Sequence, residues 1–226
     1  MKKPRRRKAS LPEPPAPSSA PPRDKGLLRR AGIASLLVAA GLAAYSNSFG
    51  GEFVFDDSDA IVQNRSIRQL WPPWDALRPP RDSTVAGRPL LNLSFALNYR
   101  AGGLRPAGYH ALNLVIHLLA GLALYGIARR TLAGARLRDR FGADADGLAT
   151  GISLVWLLHP LHTGAVTYVV QRAESLMGLF FLAALYASIR SFESPSAAWR
   201  VAAVAACAFG MGTKEVMAAA PLVILL

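Results

Sequence analysis

The chain has 226 residues, 52% of them hydrophobic, with a mean hydropathy of +0.25 and a net charge of +12. That apolar fraction excludes an ordinary soluble domain and points to several membrane helices. A single cysteine, Cys207, excludes an intrachain disulfide. No nucleic-acid-binding motif accompanies the positive charge, so it is assigned to a membrane flank rather than to DNA or RNA.

The basic stretches "MKKPRRRKAS" and "RDKGLLRR" enclose "ASLPEPPAPSSAPP", which is too rich in Pro, Ser and Ala to bury a core. Residues 1–26 therefore read as a disordered basic cytoplasmic tail, followed by a first transmembrane helix over 27–49. A cleaved signal peptide is the alternative. The length of the basic region and the apolar segments downstream favour an uncleaved anchor.

Residues 50–108 form a long loop on the other side of the membrane. It opens with "FVFDDSDA", in which Asp56, Asp57 and Asp59 follow an apolar triplet. The plain reading is a hydrated loop. The sharper reading is a carboxylate at an apolar boundary, where desolvation raises its pKa and lets it accept a proton from a hydroxyl. Further along, "LLNLSFALNY" alternates apolar and polar residues like a strand. A lone strand at a membrane leaves its backbone unpaired, and Pro89 suits a first helical position, so an interfacial helix is expected.

Residues 109–226 hold further spans, with apolar runs at 111–128, 148–158, 176–189, 197–212 and 216–226. His110, Asn113 and His117 share one helix face. No Glu or Cys on that helix completes a metal ligand set, so interhelical hydrogen bonding is expected there. Pro160 should stop the third span, leaving His159, His162, Arg172 and Glu174 near the same surface as the acidic loop. Arg172 and Glu174 form an ion pair in the plain reading. In the functional one, Arg172 and Lys214 contact a phosphate. The final "PLVILL" stops inside an apolar run, so a longer chain is expected. The arginines of "RRTLAGARLRDR" place that loop with the N-terminus in the cytoplasm. The acidic loop, the His159–Glu174 turn and the Lys214 junction then share the outer face.

The series "FVFDDSDAIVQN", "GRPLLNLSFALNY", "GYHALNLVIHLL", "LHPLHTGAVTYVVQRAESLMGLFFL" and "TKEVMAAAPLVILL" resembles the membrane region of the transmembrane-and-tetratricopeptide-repeat proteins. These are similar to protein O-mannosyltransferases and other GT-C glycosyltransferases. The resemblance covers about residues 30–226 and implies an all-α, polytopic, GT-C-like helical bundle in a bacterial inner membrane. It also implies sugar transfer from a polyprenyl-phosphate donor to a protein or other hydroxyl acceptor. On that resemblance Asp56 and Asp57 match the catalytic acidic pair. Arg172, Lys214, His110, His159 and His162 are candidates for donor binding, with Glu174, Glu215 and Arg88 in support. It implies no cofactor beyond the lipid-linked donor and no particular metal. Tetratricopeptide repeats would follow the membrane region. A non-catalytic scaffold whose repeats bind partners is the alternative.

Overall fold

The computed structural model describes residues 25–225; the expected tail lies almost wholly outside them. Among the described residues the chain is all-α, with no strand. The principal helices are α1 (Lys25–Tyr45), α2 (Pro89–Gly102), α3 (Pro106–Ala133), α4 (Ala145–Leu157), α5 (Arg172–Glu193), α6 (Ala197–Met211) and α7 (Ala220–Leu225).

Among the described residues three segments are long and apolar enough to cross a membrane: Gly26–Gly50, Pro106–Ala133 and Val169–Glu193. The helices α4 and α6 are apolar but shorter. At 1.5 Å per residue α4 is only about 20 Å long. It begins a few residues before the apolar run and ends at Leu157, because His159, immediately before Pro160, is extended. Two short turns, Pro160–His162 and Thr163–Thr167, carry the chain back toward α5. Large apolar side chains such as Leu36, Leu119, Val155 and Val204 stay exposed along these helices. A membrane helix needs such a surface, since lipid replaces the missing protein neighbours.

Successive long helices reverse direction. The C-terminal ends of α1, α4 and α6 and the N-terminal ends of α3 and α5 therefore meet at one end of the bundle. That end carries residues 51–105. Two glycines lie where α1, α3 and α4 pack together. A Cβ on Gly41 would stand 2.4 Å from Leu118 Cδ2, and one on Gly121 would stand 2.8 Å from Leu157 Cδ1. A side chain at either glycine would have to displace a leucine tip, and with glycine there α1, α3 and α4 approach closely over Tyr45, Leu114, Leu118 and Leu157.

The long loop is folded rather than simply hydrated. Ile61, Ile67, Val85, Leu91, Phe95 and Val169 share one buried core, into which α2 is set. The strand-like alternation of 90–99 gives way to a helical face, with Leu91, Asn92, Phe95 and Ala96 all buried. Asn92 is one of the residues that alternation would have turned to solvent. It instead donates to the Ala76 carbonyl and to Ser66 Oγ, each at 2.8 Å, and accepts from Asn64 Nδ2 at 2.8 Å. Burying a polar side chain costs little when its hydrogen-bonding capacity is met.

Candidate active site

The acidic motif folds into two adjacent carboxylates with opposite surroundings. Phe55 has φ 47°, an uncommon backbone conformation for an aromatic residue. The turn it makes leaves Asp56 exposed and Asp57 wholly buried. Asp57 accepts from the Val54 N–H at 3.1 Å and from the Val170 N–H at 2.7 Å. The second bond fastens the loop to the residues just before α5. Burial pushes the Asp57 carboxyl above its ordinary pKa, more than the backbone amides and nearby His110 pull it down. Asp56 is linked to the same segment through Tyr168 and keeps its carboxylate exposed. Its backbone N–H donates to Tyr168 Oη at 3.1 Å, and the Phe55 ring stands edge-on to Tyr168 with centroids 6.3 Å apart. Asp59 turns aside, accepting from the Thr84 N–H at 3.0 Å.

Beneath the loop, Arg172 is fully buried. Its Nε donates to Asn113 Oδ1 at 2.6 Å, Nη2 to the Tyr109 carbonyl at 3.0 Å, and Nη1 to the Ser94 carbonyl and Oγ at 3.2 Å. The guanidinium also lies 4.7 Å over the Phe95 ring. The sequence offered Arg172 as a phosphate ligand or as the partner of Glu174. Here it joins α2, α3 and α5 through uncharged acceptors, and Glu174 pairs with Lys214 instead. Asn113 also donates to the carbonyls of Val166 and Val169, each at 3.3 Å. His110 is buried against Gly51, where an added Cβ would come within 3.0 Å of its Nε2.

The other sequence candidates lie around a second feature of this end. His117 contacts the Leu157 carbonyl through Nε2 at 2.9 Å and stacks on Trp156 at 5.0 Å. His162 lies 4.4 Å from the Trp156 ring. With Glu174, these side chains line a cavity of about 160 Å³. Burial lowers the pKa of His162, and neighbouring His159 lowers it further. His159 is exposed and its Nδ1 accepts from the Leu161 N–H at 3.2 Å. Lys214 is extended at the junction before the last turn, and Glu215 beside it is exposed. The Leu90 N–H donates to the Gly212 carbonyl at 2.9 Å, drawing Arg88 and the start of α2 toward that junction. Arg88 itself donates to the Thr84 carbonyl.

Tyr168 and Trp156 are members of this end that the sequence reading passed over. Tyr168 sits among valines in "AVTYVVQ", where neither it nor the neighbouring Thr167 carries a charge to draw notice. Trp156 precedes the His-Pro break by one turn. Among the described residues no group of three or more His, Cys, Asp or Glu side chains converges to hold a metal ion.

The chain is 33% identical over 187 residues to a protein named Protein O-mannosyl-transferase F38B6.6 from Caenorhabditis elegans, covering 78% of this chain and 26% of that one. It is 35% identical over 183 residues to Protein O-mannosyl-transferase TMTC1 of Homo sapiens, covering 76% and 20%. It is 35% identical over 197 residues to Protein O-mannosyl-transferase tmtc2 of Xenopus laevis, covering 81% and 22%. The chain thus spans about a quarter or less of the length of these relatives. No family model and no solved structure matches it.

Proposed function

Because the chain belongs, over its matched residues, to the family of TMTC protein O-mannosyl-transferases, we propose that it forms the membrane part of a glycosyltransferase. That enzyme moves a sugar, mannose by analogy with the relatives' names, from a polyprenyl-phosphate donor to a protein hydroxyl. The observation that carries this reading is the division of labour in the acidic pair. Asp57 is spent on anchoring the loop, and Asp56 stays exposed at the surface beside the Tyr168 hydroxyl.

In this reading Asp56 takes the proton from the acceptor hydroxyl as its oxygen attacks the anomeric carbon. The bond from that carbon to the phosphate oxygen breaks, and polyprenyl phosphate leaves with the electron pair. A lipid donor holds its reactive carbon close to the bilayer, so the base must stand just beyond a span. Residues 51–57 directly follow the first one. Lys214 and Arg88 supply positive charge to the donor phosphate, with Glu174 fixing Lys214 between turnovers. Glu215, next to Lys214, borders the same junction. His159 and His162 border the donor's path, His162 as an uncharged hydrogen-bonding ring. Arg172 serves as a positioning residue, since its donors are engaged inside the chain. His110 packs behind Asp57. The site faces away from the cytoplasm in the arrangement that the basic flanks favour.

The test is transfer of labelled sugar from membrane lipid by the full-length protein. Asp56→Asn should lower the rate by about 10²–10⁴-fold, the usual contribution of a general base. Asp59→Asn should change it little. Full activity in Asp56→Asn would remove the catalytic role and favour a membrane scaffold.

A further inference from the structure

The opposite end of the bundle carries a cavity that sugar transfer does not use. It is open, about 610 Å³ in volume, and framed by the N-terminal part of α1, the C-terminal halves of α3 and α5, and the start of α6. Its rim is cationic and aromatic: Arg30, Arg129 and Arg130 stand with Tyr125, Tyr186 and Trp199. Its floor is apolar, formed by Leu122, Ala123, Ala183 and Ala202. We infer that this cavity binds an anionic phospholipid, with the phosphodiester at the arginine rim and an acyl chain running down over Leu122, Ala123 and Ala202.

Three observations carry this assignment. The first is charge. Arg29, Arg30, Arg129, Arg130 and Arg190 gather at this end, whereas among the described residues the ion pairs they form reach two carboxylates, Asp146 and Glu193. Arg30 pairs with neither, and Arg190 Nε is buried without an acceptor among the described residues. An anion is the missing complement.

The second is the gradient along α3. From Leu122 to Arg130 the helix climbs about 12 Å, from purely apolar wall to guanidinium rim. That is the profile of a lipid, charged at the membrane boundary and hydrocarbon below. A soluble phosphate would leave the floor bare. Basic pockets between membrane helices suit anionic headgroups for this reason.

The third is how the rim is held. A Cβ on Gly126 would stand 2.7 Å from the Tyr186 ring, so glycine lets that ring lie against α3. Arg130 then sits 5.3 Å over Tyr186, and Arg190 sits 4.8 Å over Trp199. Aromatic rings in contact with guanidinium groups at this level match the interfacial belt of membrane proteins.

The experiment uses the purified full chain in a neutral detergent. Its melting temperature and native mass spectrum are recorded with phosphatidylglycerol, with phosphatidylcholine of the same acyl chains, and with soluble glycerol 3-phosphate. Phosphatidylglycerol should raise the melting temperature and remain bound, and the other two should not. Arg30→Gln removes a charge with no ion pair among the described residues and should weaken phosphatidylglycerol binding about fivefold, the worth of one basic residue at an anionic surface. Ala202→Trp fills the floor and should weaken it as much, while the lipid-free melting temperature of both variants stays near wild type. Equal shifts from the two lipids would overturn the assignment. An equal shift from glycerol 3-phosphate would identify a phosphate site and overturn the lipid. Undiminished binding in both variants would place the lipid elsewhere.

Discussion

Asp57 and Arg172 show how a charged side chain can be useful by being inaccessible. Because burial holds the Asp57 carboxyl above its ordinary range, the folded chain binds that proton more tightly than the unfolded chain does. The stability this group contributes is complete at acid pH. It is lost as pH rises from the ordinary carboxylate pKa through the raised one. Asp57→Asn cannot titrate, so its melting temperature relative to wild type should climb across that window. A difference that stays flat with pH would show that Asp57 is not desolvated. Arg172→Lys tests the planar fork. An ammonium cannot serve Asn113, Ser94 and Tyr109 together, so some buried acceptors lose their donor. The expected loss is about 2 kcal/mol or more of stability, because unsatisfied buried groups keep their desolvation penalty. Denaturation of purified variants checks it, and a wild-type midpoint would refute the positioning role.

At the scale of elements, α2 and the loop around it form a packed cap. Its two sequons, "NRS" at 64–66 and "NLS" at 92–94, both place their asparagine in the interior. Asn64 donates to Asn92 and to the Ala60 carbonyl and accepts from Ser66. Neither amide can be reached by a glycosylating enzyme once folded. Expression in a glycosylating host should therefore give a chain whose mass is unchanged by glycosidase, and a glycan on Asn92 would contradict the cap. Among the membrane helices the sensitive point is the close approach at Gly121. Gly121→Ile should push α3 from Leu157 and lower the melting temperature by several degrees, as core overpacking of about 1–3 kcal/mol does.

At the scale of the whole molecule, the alternation of helix directions divides the chain into two ends. One holds the acidic cap, and the other holds the arginine-lined cavity and the 134–144 turn. Single cysteines at Ser58 and Ala143, in a Cys207→Ser background, should be labelled by an impermeant reagent from opposite sides of the membrane. Labelling of both from the same side would overturn the arrangement. Basic residues flanking the second end favour placing it in the cytoplasm.

The sequence by itself determined the elements whose signal is local. Hydropathy marked the apolar helices, Pro89 and Pro160 marked a helix start and a helix stop, and the order of motifs carried the family resemblance. It also named the residues that gather at one end of the bundle, because helix reversal follows from counting spans. Only the tertiary structure decided what those residues do there. Arg172 and Lys214 look alike as cations in a line of letters. One is enclosed by α2 and α3, and the other stands at a junction beside Glu174. Asp56 and Asp57 look alike as well. Whether a carboxylate faces water or a backbone amide more than a hundred residues away depends on a contact that no local pattern encodes. Pro89 led to the helix that α2 forms, but nothing local showed that Asn92 is buried, since a polar residue is buried wherever distant partners satisfy it, as Asn64, Ser66 and Ala76 do for Asn92.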